Sequence, residues 1–230
     1  ISFITMAIPV QLEGNFVTLI WLTEMVVLMW MTRKTSINTY KYLAYGITIL
    51  AFFSLWHDWS NYSYFSNNTD TTLAFQPLFN RYFLTSIIGT AVFGFVWWLN
   101  KKMISDTLSK IANVVLVVFG LIVCYMTFAN EILLYFDIQY KLSEYKHMGD
   151  YGYEWTDYDS AWNSYSGLWM IIYSMVFVSV LGWLSIKKFS NMVFAYISWS
   201  LNLIMVITAL TAGFLIINDL KEEAVYNYTY

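Results

Sequence analysis

The chain alternates between long apolar runs and short polar or charged turns. Six runs stand out: Asn15–Met31, Tyr40–Trp56, Arg81–Leu99, Ile111–Leu134, Ser166–Ile186 and Met192–Ile217. A helix needs roughly 20 apolar residues to cross a bilayer. In hydrocarbon every backbone group must be hydrogen-bonded within the protein, which makes such runs helices. The pattern therefore predicts an all-α, polytopic transmembrane helical bundle. It comprises about six full spans in three hairpins, within a single domain covering 1–230. Residues Ile1–Val10 are apolar but too short to span, and read as the end of a helix that begins upstream.

The turns differ in character. Those after the first, third and fifth runs are short and basic. The opposite turns are longer, acidic and rich in Tyr and Trp: His57–Thr72, and a 31-residue loop from Tyr135 to Tyr165. An acidic tail, Asp219–Glu223, follows the last run. The first and third hairpins are weakly alike, with Trp21 matching Trp169 in a parallel repeat, unlike the inverted repeats of many carriers.

Composition agrees with this pattern. Of the 230 residues 59% are hydrophobic and only 12% charged, with mean hydropathy +0.53; a soluble domain is about one quarter charged. Arg33, Lys34, Lys41, Lys101, Lys102, Lys110, Lys187 and Lys188 all fall in or beside the short basic turns, with Asp106 as the accompanying acid. The positive-inside rule assigns these turns to the cytoplasm and the aromatic, acidic loops and C-terminal tail to the outside. Trp56, Trp59, Trp97, Trp98, Trp162 and Trp183 sit where interfacial belts are expected. The single cysteine, Cys124, lies within an apolar run and has no partner for an internal disulfide.

Glu24 is the sharpest chemical signal. It stands near the middle of the first run, where an ionised acid costs at least about 2.5–3.5 kcal/mol. Its helical neighbours Ile20, Trp21, Val27, Leu28 and Met31 supply no cation. As a functional group it would couple protons or bind substrate, with Trp21 beside it. As a structural group it would be a neutral acid hydrogen-bonded between helices. A second candidate cluster lies at the other ends of the runs: Glu13, Asn80, Arg81, Asn130 and Glu131. There an Arg81–Glu131 pair is one possibility, and simple anchoring of helix ends is the plainer one. The stretch Asp150–Tyr165 interleaves aromatic rings with acids and amides, which suits sugar rings, amphipathic head groups or an ordinary interfacial cap. His57 and His147 are isolated, and the acids at 150, 154, 157 and 159 match no calcium-loop pattern. No phosphate loop, nucleophile elbow or basic nucleic-acid face is present, so the sequence calls for no cofactor, no metal and no nucleic-acid partner.

The run AIPVQLEGNFVTLIWLTEMVVLMWM, Ala7 to Met31, resembles the signature of a bacterial family of multi-spanning membrane proteins, domain of unknown function 2339. The matching positions are Ala7, Ile8, Pro9, Gly14, Phe16, Thr18, Trp21 and Glu24. PLFNRYFLT (Pro77–Thr85) resembles the start of a later span of that family, although Arg81 here directly follows Asn80. NEILLYF (Asn130–Phe136) resembles its acidic helix end. The texture departs from the family's Ala/Leu-rich habit, being rich in Tyr, Trp, Asn and Ile. The resemblance implies a bacterial inner-membrane protein longer than this chain, whose remaining spans would be its nearest partners besides the bilayer. It implies no reaction.

Three function classes follow. The first is transport or handling of a cell-envelope component, a lipid or glycan, centred on Glu24. The second is an outer-face membrane enzyme using Glu13, Glu131 or a loop acid on a lipid-linked or glycan substrate. The third is a structural scaffold subunit. An intramembrane acid is by default a functional-site candidate, which favours the first.

Overall fold

The computed structural model describes residues 14–66, 76–104, 106–148, 154–189 and 192–229. The described chain is all-α apart from one short β-hairpin. In order the elements are α1 (Asn15–Thr35), α2 (Asn38–Ser66), α3 (Arg81–Lys101), α4 (Thr107–Leu142), β1 (Tyr145–Met148), β2 (Glu154–Asp157), α5 (Ala161–Phe189) and α6 (Met192–Thr229). Five of these helices are long and apolar enough to cross a membrane: α1, α3, α4, α5 and α6. At the second expected run a helix also stands, but α2, with its tyrosines and its polar second half, is less apolar than the other five.

The chain divides into two compact units, Ile1–Glu131 and Ile132–Tyr230. In the first, α1 packs on α2 and α3, and α2 on α3. The buried positions of α1 are Asn15, Thr18, Leu22, Met25, Met29 and Thr32, alternating steps of three and four. Those of α2 include Lys41, Ala44, Thr48, Ala51, Leu55 and Asp58, with the same alternation. A 3.5-residue repeat is the spacing of a coiled-coil seam, and it lets two helices stay face to face along their length. The α1–α2 turn closes at Ser36, whose φ of 61° is left-handed and whose N–H donates to Thr32 O at 2.8 Å. Apolar residues fill the middle of the unit: Leu22, Met25, Met29, Leu55, Phe93, Val96, Leu116 and Val123. Phe119 of α4 stacks on Phe52 with ring centres 3.9 Å apart. Gly89 of α3 lets Leu55 and Val123 come close, since a Cβ there would meet Leu55 Cδ1 at 3.0 Å.

In the second unit α5 packs against α6. Both bury few of their residues, and Trp169, Ile172, Val176, Val180 and Trp183 of α5 stand exposed. Such apolar faces suit lipid contact, because lipid tails are as apolar as the side chains themselves.

The long polar loops of the sequence analysis are largely structured. No Gly or Pro interrupts residues 47 to 76. Accordingly α2 continues past Trp56 to Ser66 and takes in most of the stretch expected as a loop from His57. Likewise α4 runs to Leu142, and its 36 residues span about 54 Å, well beyond the roughly 30 Å hydrocarbon layer. The rest of the expected 31-residue loop holds the hairpin, with Tyr145 opposite Asp157 and Met148 opposite Glu154. Tyr140 stacks on Tyr158 at 5.1 Å, and Ser143 Oγ accepts from Asp159 N at 3.0 Å. The acidic tail at Asp219 is a continuation of α6. Hydropathy marks where a helix is greasy, whereas hydrogen bonding and the absence of breakers decide where it stops.

Candidate functional site

The first unit gathers its other charged side chains toward its two ends, with Glu24 between them. Glu24 is half-buried on α1, on the side of the helix turned away from the Leu22–Met25–Met29 seam. Its Oε2 is enclosed and has no hydrogen-bond partner among the described residues. The other polar residues buried along α1 are all satisfied. Asn15 Nδ2 donates to Thr85 Oγ1 at 3.3 Å, Thr18 Oγ1 to Asp58 Oδ2 at 2.6 Å, and Thr32 Oγ1 to Leu28 O at 2.9 Å. Trp21, the companion expected for Glu24, packs partly buried against the apolar core.

The end of the unit where α1 and α3 begin holds two carboxyl groups. Glu131, 5% exposed, accepts from Leu78 N at 2.6 Å and from Asn80 Nδ2 at 3.0 and 3.2 Å. Asn80 in turn caps α3, its Oδ1 accepting from Phe83 N at 2.8 Å. Leu78 has φ of 68°, the left-handed region that disfavours a branched residue. Glu131 thus fastens a strained turn and a helix cap to α4. Arg81 lies over the Tyr82 ring, 5.1 Å from its centre, and in the field of Asp58. Of the expected cluster, Asn80 and Glu131 meet directly, and Glu131 also accepts from the Leu78 backbone. Asn130 stands half-buried on α4, and Glu13 lies outside the described residues.

Asp58 is the group that sequence reasoning missed. It is 3% exposed, and Thr18, its donor, also lies 2.6 Å from Ser54 Oγ. Thr18 has one hydroxyl proton. When it donates to Asp58, Ser54 donates to Thr18, so two hydroxyls point in series at one buried carboxyl. The signal was present: Asp58 continues the three-and-four spacing of Lys41, Ala44, Thr48, Ala51 and Leu55. Nearby, Trp59 Nε1 donates to Ser86 Oγ at 2.9 Å.

The opposite end is basic. Lys41, 2% exposed, donates to Asp106 Oδ1 at 3.0 Å and Ser109 Oγ at 2.9 Å. Ser109 Oγ also bonds Asp106, and Tyr42 OH reaches Asp106 Oδ2 at 3.3 Å. Asn100, fully buried, accepts from Tyr45 OH at 2.7 Å and donates to Ser109 O at 3.3 Å. Around this knot cations lie over indoles: Lys34 over Trp30, Lys101 over Trp97, and both Arg33 and Lys102 over Trp98. Among the described residues no group of three or more His, Cys, Asp or Glu is placed to hold a metal.

These features define an all-α, membrane-embedded type of protein with several helices of membrane-crossing length and apolarity. Comparison with protein-family models, curated proteins and solved structures finds no match to this chain.

Proposed function

We propose that this protein handles a cell-envelope component, a lipid or glycan, within a bacterial inner membrane, with Glu24 as the protonatable group at mid-membrane. One observation carries the reading: Glu24 Oε2 is enclosed without a hydrogen-bond partner among the described residues, whereas Asn15, Thr18 and Thr32 on the same helix are satisfied. A carboxyl whose only task is to join helices would be expected to make a bond. An unspent acceptor at that depth suits a proton or a passing ligand hydroxyl. The basic end, with Arg33, Lys34, Lys101 and Lys102, then faces the cytoplasm, and the Asp58 and Glu131 end faces outward. The bacterial setting rests on the resemblance of Ala7–Met31 to domain of unknown function 2339. Glu131 fits the alternative of an outer-face enzyme poorly, because its oxygens hold Leu78 and Asn80.

The protein, purified from bacterial inner membranes with its bound lipids, tests this. Native mass spectrometry should find a co-purifying envelope lipid or glycan that is lost in Glu24→Gln while the thermal unfolding temperature stays unchanged. The same bound complement in wild type and Glu24→Gln, at equal stability, overturns the proposal.

A further inference from the structure

We infer that the basic end of the first unit carries a binding pocket for a phosphoryl group, held mainly by Arg33. A cavity of about 200 Å³ opens there, lined by Thr32, Arg33, Ser36, Asn38, Lys41 and Met103. Sites for drug-sized ligands run about 300–1,000 Å³. This one has the size for a single compact head group, and it is open, so the rest of a ligand can extend out of it.

Its lining fixes the sign of the charge. Arg33 and Lys41 both contribute, and among the described residues no acid lines it. Lys41 is already bonded to Asp106, so it adds field and rigidity more than a new bond. Arg33 is in a different position. It is exposed and lies over the face of Trp98, 5.8 Å from the ring centre. A guanidinium on an indole face keeps its N–H fork free for an anion, and that fork matches phosphate oxygens in pairs. Ser36 and Asn38 add neutral donors, and α2 begins at Asn38 with no acid in its first turn. Met103 provides an apolar wall, as a group attached to a glycerol or acyl chain would need.

The surroundings favour a lipid as the carrier of the phosphoryl group. Trp30, Trp97 and Trp98 lie with Lys34, Lys101 and Lys102 at this end, an arrangement typical of the head-group layer. Basic pockets between helices at the cytoplasmic face are known seats for anionic head groups. Free phosphate shares the same chemistry and is separated from lipid by experiment.

The full chain in detergent is incubated with phosphatidylglycerol, with diacylglycerol, which has the same acyl chains and no phosphoryl group, or with inorganic phosphate, and bound species are counted by native mass spectrometry. One tightly held phosphatidylglycerol is expected, with retention about tenfold weaker in Arg33→Gln, the loss of roughly one charge-assisted contact. Lys34→Gln, which alters the neighbouring charge without touching the cavity, should retain it. Arg33→Lys should recover only part, because the fork is lost. Displacement by millimolar inorganic phosphate would assign the site to a phosphoryl group from either source, and failure to displace would assign it to the lipid-borne group. Equal weakening by Arg33→Gln and Lys34→Gln, no weakening by either, or equal retention of phosphate-free diacylglycerol would overturn the inference. None of these outcomes depends on Glu24.

Discussion

Thr18 of α1 donates its hydroxyl to Asp58 of α2 across the helix seam at 2.6 Å, and both side chains are buried. This bond lies where the two helices' three-and-four repeats meet at the end of the unit. It turns a carboxyl that would oppose burial into one that specifies how α1 and α2 align. Replacing Thr18 by Val keeps the volume and removes the donor. We expect destabilisation of about 1–3 kcal/mol, the cost of leaving a buried acceptor without its donor. Thr18→Ser should recover most of it. Thermal unfolding in detergent, run as a double-mutant cycle with Asp58→Asn, measures the coupling. Additive effects of the two substitutions would show the bond to be energetically idle.

The turn before α3 predicts a substitution that stabilises. Leu78 is half-exposed and left-handed, with φ of 68°. Glycine relieves strain of about 1–2 kcal/mol at such a position, offset partly by greater freedom in the unfolded chain. Leu78→Gly should therefore be neutral to stabilising in the unfolding midpoint. A loss as large as that from a core truncation would contradict the strain.

Glu131→Ala removes the acceptor for Leu78 N–H and for Asn80, the cap of α3. It should cost about 1–3 kcal/mol and increase hydrogen exchange at the start of α3, while the middle of α3 stays protected. Asn80→Ala alone should cost about 1 kcal/mol through loss of the cap. Protection unchanged at Phe83 in both variants would show that the clamp does not hold the helix end.

Gly89 lies where Leu55 and Val123 approach α3. Alanine there displaces only the flexible end of Leu55 and should cost little. Valine adds branched bulk to a packed seam, and we expect about 1–3 kcal/mol of destabilisation. Equal midpoints for Gly89→Ala and Gly89→Val would mean the helices separate freely at this level.

Lys41→Met tests the knot at the basic end. Asp106 is 35% exposed, so water compensates part of the loss. A moderate cost of about 1–2 kcal/mol is expected, with Asp106→Asn adding little on top of it. Full additivity would indicate that the two charges act independently.

How much was legible beforehand depended on what each feature is made of. The apolar runs showed that helices exist and roughly where, because the cost of exposed backbone in hydrocarbon applies to any arrangement. The same runs misplaced the helix ends. Polar residues such as His57 and Asp58 leave the apolar run without leaving the helix, and no Pro or Gly stops α2 until well beyond them. Glu24 stood out because an acid in such a run is costly wherever its helix packs. Asp58 did not, because it looked like loop until its helix was seen to continue.

Sequence alone determined the all-α class, the segregation of basic and aromatic turns, and the presence of a mid-run acid. Each follows from local chemistry and chain period, which need no partner to be expressed. Tertiary structure decided that Asn80 and Leu78 are the donors found on Glu131, that Thr18 meets Asp58, and that Arg33 and Lys41 line one small cavity. Those pairings join residues 40 to 53 positions apart, or two helices across a turn. They depend on the register in which helices pack, and that register is set by the whole seam, not by any one stretch of chain.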